Sequence, residues 1–127
     1  MKLYRIILPV DDIEKASEFY TTILGVQGIR VSPGRHYFNL HGTILACYDP
    51  IADGDKIATK WSFHENQYIY IATPDLERTF TNINTSNAMS MDEEIRLMPW
   101  GERLFYANDP FGNPICFVDE TTIFTGT

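Results

Sequence analysis

Few side chains of this sequence could do chemistry. Arg5 lies in a largely apolar stretch near the start of the chain, and Tyr68 and Tyr70 lie in a similar stretch further on. A guanidinium can bind a carboxylate or a phosphate through two parallel hydrogen bonds. Phenol rings supply contact area, and their hydroxyls orient a small ligand. These residues therefore suit a small, partly aromatic ligand. The alternatives are an internal ion pair or an edge position for Arg5, and core packing for the tyrosines.

Thiols and imidazoles are equally sparse. Cys47 and Cys116 make no disulfide framework, and reduced thiols favour a cytoplasmic protein. Cys116 is expected to be a small buried apolar residue, because no neighbouring base is visible that could activate it as a nucleophile. The three histidines, His36, His41 and His64, are expected at the surface or at strand edges.

Composition argues against several classes of partner. The length of 127 residues suits one domain, and the 44% of hydrophobic and 21% of charged residues indicate a packed globular chain. The net charge of −7 and the lack of a basic run argue against nucleic acid. No stretch approaches the roughly 20 apolar residues of a membrane span, and the first residues do not have the pattern of a secretory signal.

The elements that must position these residues follow one order twice. A strand, Lys2–Val10, leads to a helix that Asp11 and Asp12 open and Gly25 ends. Three strands follow, at Ile29–Val31, His36–Asn39 and Thr43–Tyr48.

The second copy begins with a strand at Gln67–Thr73 and a helix with Pro74 at its first position. Three weaker strands follow, at Glu94–Met98, Arg103–Ala107 and Asn113–Val118. The copies align at an offset of 63 residues through the first strand and helix and of 70 at Gly42 and Gly112, and residues 35–38 match residues 103–106.

The sequence thus predicts a single α+β domain over residues 1–127, built from two modules. The first module covers residues 1–50 and the second covers residues 67–120. Residues 51–66, which contain Trp61 and Phe63, either cover a pocket or partner surface or form an ordinary linker. The apolar tail, residues 121–127, is expected to pack on the sheet or on a second subunit.

Two motifs resemble a known family. Val10-Asp11-Asp12, with Phe19-Tyr20 and Ile23-Leu24-Gly25 after it, looks like the opening of the vicinal oxygen chelate superfamily of glyoxalases, bleomycin resistance proteins and extradiol dioxygenases. Residues 109–113, Asp-Pro-Phe-Gly-Asn, look like its closing turn. The resemblance implies paired βαβββ modules whose mixed sheet forms a cup with the helices outside. It also implies a homodimer, because members of the superfamily commonly dimerise.

In metal-using members, four side chains of this fold hold a divalent ion. The corresponding positions here are Arg5, Ala46, Tyr68 and Cys116. None is a histidine or a carboxylate, the ligands that such ions require, and an arginine repels a cation. We therefore expect no metal and no other cofactor.

Strand alternation then predicts the lining of the cup. If Arg5 points inward, Leu3 and Ile7 do so too, whereas Tyr4, Ile6 and Leu8 pack on the helices. The predicted ligand-binding residues are Arg5, Ile7, Ala46, Tyr48, Tyr68, Tyr70, Trp100 and Cys116.

The resemblance leaves two functions open. The first is a metal-free protein that binds a small molecule in the cup, as bleomycin resistance proteins do. The second is a lyase, isomerase or dioxygenase-type enzyme with an atypical or absent metal. Tyr48, Tyr68 and Cys116 would then transfer protons, and Arg5 would stabilise an anion.

Overall fold

The computed structural model describes residues 1–56 and 67–126. Residues 1–56 form one compact unit and residues 67–126 form a second. The expectations for Trp61, Phe63 and His64 lie outside the described residues, and the assignment of the whole chain to one domain stays a prediction. No helix in the described ranges is long and apolar enough to cross a membrane.

The first unit has the predicted order of elements. Its elements are β1 (Arg5–Pro9), α1 (Ile13–Leu24), β2 (Ile29–Ser32), β3 (Arg35–Leu40) and β4 (Thr43–Tyr48). The sheet order is β1-β4-β3-β2, with β1 parallel to β4 and the other pairs antiparallel. His41, at φ 54°, and Gly42, at φ 97°, form the two-residue turn between β3 and β4, which is the geometry that fits the twist of a tight hairpin.

Local sequence sets both ends of α1. The Asp12 carboxylate caps the helix by accepting a hydrogen bond from the Lys15 amide at 3.1 Å. Gly25 ends it in the left-handed conformation, which a residue without a Cβ adopts at little cost. Between these caps, Ala16 and Tyr20 are fully buried against the sheet. Burial of an aromatic ring such as that of Tyr20 stabilises the unit by about 1.5–3 kcal/mol.

The second unit repeats this plan, but the edge of its sheet is divided into two short strands. Its elements are β5 (Ile69–Thr73), α2 (Leu76–Asn84), β6 (Met89–Ser90), β7 (Arg96–Leu97), β8 (Arg103–Asn108) and β9 (Pro114–Asp119). The sheet order is β5-β9-β8-β6, and β7 also pairs with β8. The two helices and two mixed sheets agree with the predicted α+β class.

Two local predictions for this unit were wrong. Asp75 is the N-cap of α2 and accepts from the Arg78 amide at 3.0 Å, so Pro74 precedes the cap instead of occupying the first helical position. The predicted strand at 94–98 is only the two-residue β7, and β6 was missed. The Tyr106 amide donates to the Asp92 side chain at 2.9 Å. Because this carboxylate replaces a backbone acceptor, the edge is broken into two short strands.

The closing turn of the second unit is held by a buried acid–amide pair. Asp109 Oδ1 accepts from the amides of Phe111 and Asn113 at 2.9 and 2.8 Å. Asp109 Oδ2 accepts from the Asn113 side chain at 2.9 Å. Asp109 and Asn113 are 4% and 2% exposed, and such burial is tolerated because these polar atoms have partners. The turn delivers β9 antiparallel to β8 in a fixed register.

The pairing register of β8 and β9 corrects the alignment of the two copies in the sequence. Tyr37 lies opposite Ala46 in the first unit, and Tyr106 lies opposite Cys116 in the second. Tyr37 and Tyr106 are therefore equivalent, at an offset of 69. The match of residues 35–38 with 103–106 was wrong by one residue, and in a strand such a shift exchanges the two faces.

The tail returns to its own unit. A short 3₁₀ turn, Glu120–Thr122, follows β9, and the Thr122 hydroxyl accepts from the Arg103 amide at 3.0 Å. The Phe124 amide donates to Glu102 Oε2 at 3.1 Å. Of the two places expected for the tail, the described residues occupy the one against the sheet.

His36 departs from the expectation of a surface position. Its ring packs against Phe38 at 5.0 Å on the face that α1 covers, and its buried Nε2 has no hydrogen-bond partner among the residues that the structure describes. Its Nδ1 accepts from Arg30 Nε at 3.2 Å, and Arg30 also pairs with Glu14 at 2.7 Å. A Cβ on Gly28 would lie 2.4 Å from the imidazole, which explains the glycine at that position.

Burial and then the Arg30 cation lower the pKa of His36, and Glu14 opposes them.

We predict that His36 makes the stability of the protein depend on pH. Because its pKa is lower in the folded chain, the unfolded chain binds the proton first, so stability is lost as pH falls through about 6.5. Replacement of His36 by Gln should flatten the free energy of unfolding between pH 7.5 and 5.5, measured by urea denaturation. His41→Asn is the control, since His41 is exposed in a turn. An unchanged slope in H36Q would contradict the prediction.

Candidate functional site

In the part of the chain that the structure describes, each sheet has one face covered by a helix and one face that carries no helix. In the first unit, α1 covers the side that carries Leu8, Phe38 and Leu45, which are all buried. The helix-free face of the first unit carries four predicted site residues, and strand alternation places them there as expected. These are Arg5, Ile7, Ala46 and Tyr48.

Alternation does not extend to the residues before β1. Leu3 and Tyr4 precede the strand and are 68% and 56% exposed. Tyr4 was expected to pack on a helix, but its hydroxyl accepts a hydrogen bond from Arg5. The reason is that the extended pairing with β4 begins only at Arg5, so the parity of the strand does not fix the two residues before it.

Arg5 lies between two phenols. Its Nη2 donates to the Tyr4 hydroxyl at 2.6 Å, and its Nη1 donates to the Tyr37 hydroxyl at 2.8 Å. The guanidinium carbon lies 4.9 and 5.1 Å from the centroids of the same two rings, within the range of cation–π attraction. Among the described residues, no carboxylate lies within ion-pair distance of Arg5. The hydrogen bond to Tyr4 is the largest cause of a raised pKa for Arg5.

Tyr48, at the end of β4, belongs to a different network. Its ring lies 4.3 Å below the guanidinium of Arg35, and its hydroxyl donates to Asp55. Arg35 also pairs with Asp53, which accepts from the Ser32 hydroxyl at 2.9 Å. The hydrogen bond to Asp55 raises the pKa of Tyr48. One network thus joins Tyr48 to these four neighbours and holds its side chain in place. Tyr48 is half-buried.

The helix-free face of the second unit carries a tyrosine cluster. Its members are Tyr68, Tyr70 and Tyr106. The Tyr70 and Tyr106 hydroxyls are 3.0 Å apart, and the Tyr68 and Tyr106 ring centroids are 5.1 Å apart. Tyr70 is 52% exposed. Burial and then the hydrogen bond to Tyr106 raise the pKa of Tyr70.

Cys116 lies directly beneath this cluster. It is opposite Tyr70 on one side and Tyr106 on the other, and it is fully buried in a small apolar cluster with Leu104 and Val118. Burial raises the pKa of the Cys116 thiol to about 12. At neutral pH the thiol is therefore protonated and is a poor ligand or nucleophile.

Trp100 is not part of the tyrosine cluster. It lies in a turn that the Met98 amide closes on the Glu102 carbonyl at 2.8 Å, with Gly101 at φ 97°. Its indole Nε1 donates to Glu102 Oε1 at 2.6 Å, and the side chain is 49% exposed. In the described chain the ring contacts of the cluster do not include Trp100.

A polar groove of about 310 Å³ lies on the helix side of the first unit, away from these residues. It contains none of the predicted site residues. Its lining consists of Ser17, Glu18, Thr21, Thr22, Gln27, Gly28 and His36.

Comparison with known proteins assigns the family. The model of the Glyoxalase/Bleomycin resistance protein/Dioxygenase superfamily matches residues 2–117. The chain belongs to this superfamily. No protein of curated function matches the sequence.

Solved structures share the fold of this superfamily member. A glyoxalase/bleomycin resistance protein from Albidiferax ferrireducens T118 has a TM-score of 0.72 at 20% identity, over 91% of this chain and 97% of the other. A superfamily member from Sphaerobacter thermophilus DSM 20745 has a TM-score of 0.68 at 24% identity, over 94% and 97%. A lactoylglutathione lyase from Agrobacterium tumefaciens has a TM-score of 0.70 at 18% identity, over 93% and 92%. At these identities the likeness shows the fold alone.

The residues at the superfamily's ion-binding positions do not fit a divalent metal. Arg5 and Ala46 offer a cation and a methyl group, and Tyr68 and Cys116 offer a phenol and a protonated thiol. Such ions need imidazole or carboxylate ligands. The described residues contain no group of three or more His, Cys, Asp or Glu side chains that could hold an ion.

Sequence reasoning missed Tyr37 and Tyr106, the two central phenols of the helix-free faces. The sequence did contain a signal that could have identified Tyr37. The two-residue turn at His41 and Gly42 fixes the register of its hairpin and places Tyr37 beside Ala46. Tyr106 could then have been found from the repeat, once the offset was corrected.

We predict that Cys116 does not react in the folded protein. With a pKa of about 12, the thiolate fraction at pH 8 is smaller than that of an ordinary cysteine by about 1,000-fold or more. A Cys47→Ser variant isolates Cys116, and a disulfide reagent should label it only after denaturation. Stoichiometric labelling of the folded variant within minutes would contradict this prediction.

Proposed function

We propose that this superfamily member binds small, partly aromatic molecules on the helix-free face of a sheet, each unit taken by itself, and does so without the family's metal ion. The observation that carries the proposal is the set of side chains at the four ion-binding positions: a guanidinium, a methyl, a phenol and a buried thiol. These groups cannot replace imidazole and carboxylate as metal ligands. Of the four, the half-buried Arg5 and Tyr68 can contact an organic molecule, whereas Ala46 and Cys116 are buried beneath the face.

The tyrosines support binding of an aromatic ligand. Tyr68, Tyr70 and Tyr106 present ring edges and hydroxyls on one face, and Tyr70 is half-exposed. Aromatic side chains favour edge-to-face and offset packing with a ligand ring. The Tyr70–Tyr106 hydrogen bond holds two of the rings in place before a ligand arrives, which lowers the entropic cost of binding.

Binding accounts for these residues better than proton-transfer catalysis does. A general acid or base works best with a pKa near the working pH. The pKa values of Tyr48, Tyr70 and Cys116 are all raised above their ordinary values, which already lie above neutrality. The enzyme alternative would therefore depend on groups that stay protonated near pH 7.

We predict that small aromatic compounds raise the melting temperature whether or not divalent metal is present. A ligand at 100 times its Kd stabilises the folded state by about 2.7 kcal/mol, which is a shift of several degrees. Thermal shift with a panel of small aromatic compounds, on protein dialysed with and without EDTA, measures this effect. Tyr70→Ala should reduce the shift, and Phe124→Ala, an exposed aromatic of the tail, is the control.

Two results would contradict this proposal. One is a stoichiometric divalent ion in protein purified without chelator, together with stabilisation that EDTA abolishes. The other is the absence of a shift with every compound of the panel.

We also propose a homodimer and a cytoplasmic location. The edge strand β2 leaves Ile29 and Val31 72% and 54% exposed, and an exposed apolar edge favours pairing with a second chain. We predict a mass of twice 14.6 kDa by light scattering and a lower mass for Val31→Glu. The mass of a single chain at all concentrations would contradict the dimer.

A further inference from the structure

We propose that Arg5 binds an oxyanion, a carboxylate or phosphate carried by the aromatic ligand. This inference rests on the proposed function and names the chemical class of the ligand. It concerns the helix-free face of the first unit alone, where Arg5, Tyr4 and Tyr37 are in contact.

Arg5 differs from most of the other arginines because it has no carboxylate partner among the described residues. Four of the six arginines pair with carboxylates: Arg30, Arg35, Arg96 and Arg103. Within the described ranges, Arg5 and Arg78 have no such partner. Arg78 is exposed on the surface of α2, where water solvates its charge. Arg5 is half-buried on a sheet, in a chain with 17 acidic and 10 basic residues.

The phenols next to Arg5 turn the cluster into a set of donors. Each phenol oxygen accepts a hydrogen bond from the guanidinium, so each hydroxyl proton must point elsewhere. Among the described residues, neither proton has an acceptor. A guanidinium carries five N–H donors, and the two hydrogen bonds from Arg5 to the phenols use one N–H each. A ligand that satisfies these donors must supply acceptor oxygens.

The geometry also holds the donors in place. Both tyrosine rings lie about 5 Å from the guanidinium carbon, so cation–π attraction and hydrogen bonding together restrain the side chain. A restrained fork loses less entropy when it binds a planar oxyanion. Ile7 follows Arg5 on the same face of β1 and is 37% exposed, so it supplies an apolar surface near the fork for the ligand ring.

The charge close to the site, and not the net charge of the chain, decides whether the ligand is an anion or a cation. The net charge of −7 would favour a cation. Exposed charges more than about 8 Å away are largely screened at physiological salt. The charge that a ligand at this face meets first is the guanidinium of Arg5, which no carboxylate of residues 1–56 and 67–126 pairs with, and which attracts an anion and repels a cation.

Paired compounds test the inference. Benzoate, 2-naphthoate and phenyl phosphate carry an oxyanion, and benzamide and 2-naphthamide are neutral compounds of similar shape. Calorimetric titration should give tighter binding of the acids than of the amides. Loss of a charge-assisted contact in Arg5→Gln should weaken binding of the acids by about 10- to 100-fold and leave the amides within about twofold. Preference for phenyl phosphate over benzoate would select phosphate, and the reverse would select carboxylate.

Arg78→Gln is the matched control, because it removes the same charge from an arginine that also has no carboxylate partner in the described part of the chain. It should leave every affinity within about twofold. Tyr37→Phe keeps the ring and removes the hydroxyl donor, so it should weaken the acids alone. The melting temperatures of the free variants check that each one folds.

The outcomes separate this inference from the proposed function. Equal binding of acids and amides, unchanged in R5Q, would overturn the anion site and leave the binding function intact. Binding of the amides alone would do the same. A lack of binding by both sets of compounds would overturn the proposed function and this inference with it.

Discussion

Coverage of each sheet by a single helix is the constraint on which the rest of this structure depends. In a strand, successive side chains point to opposite faces, so a helix on one face assigns every residue of the strand to the core or to the helix-free face. In the first unit the rule buries Leu8 and Leu45 under α1 and leaves Arg5 and Tyr48 on the other side. The candidate site consists of the side chains on the helix-free faces that stay exposed or half-buried, such as Arg5, Tyr48 and Tyr70.

The same constraint explains how the site could diverge while the fold did not. Replacement of a half-exposed residue on a helix-free face removes few core contacts, whereas a polar residue placed under α1 would be buried without a hydrogen-bond partner. Arg5 and Tyr68 stand at ion-binding positions without a cost to packing. Ala46 and Cys116 are the exceptions. Ala46 is 1% exposed and Cys116 is fully buried with Leu104 and Val118, so both have become part of the apolar core of their units.

Most of the fold could be predicted from the sequence, because caps and turns are local. Asp12, Gly25 and the turn at His41 act through residues within four positions of them. The errors lie where a distant residue intervenes. The Asp92 carboxylate takes the place of a backbone acceptor for Tyr106 and divides the predicted edge strand. His36 is held by Arg30 from the neighbouring strand. Neither interaction has a periodic signature in the sequence.

The candidate site shows the same division between local and distant information. The faces of Arg5 and Tyr70 follow from alternation alone, but their partners do not. The register of each hairpin brings a central tyrosine, Tyr37 or Tyr106, next to the residue at the first ion-binding position. In the first unit that pair is a guanidinium and a phenol, and in the second it is two phenols. The repeated fold therefore presents one geometry twice. The residue at one strand position decides whether that geometry offers a charged fork for an oxyanion or an uncharged aromatic surface.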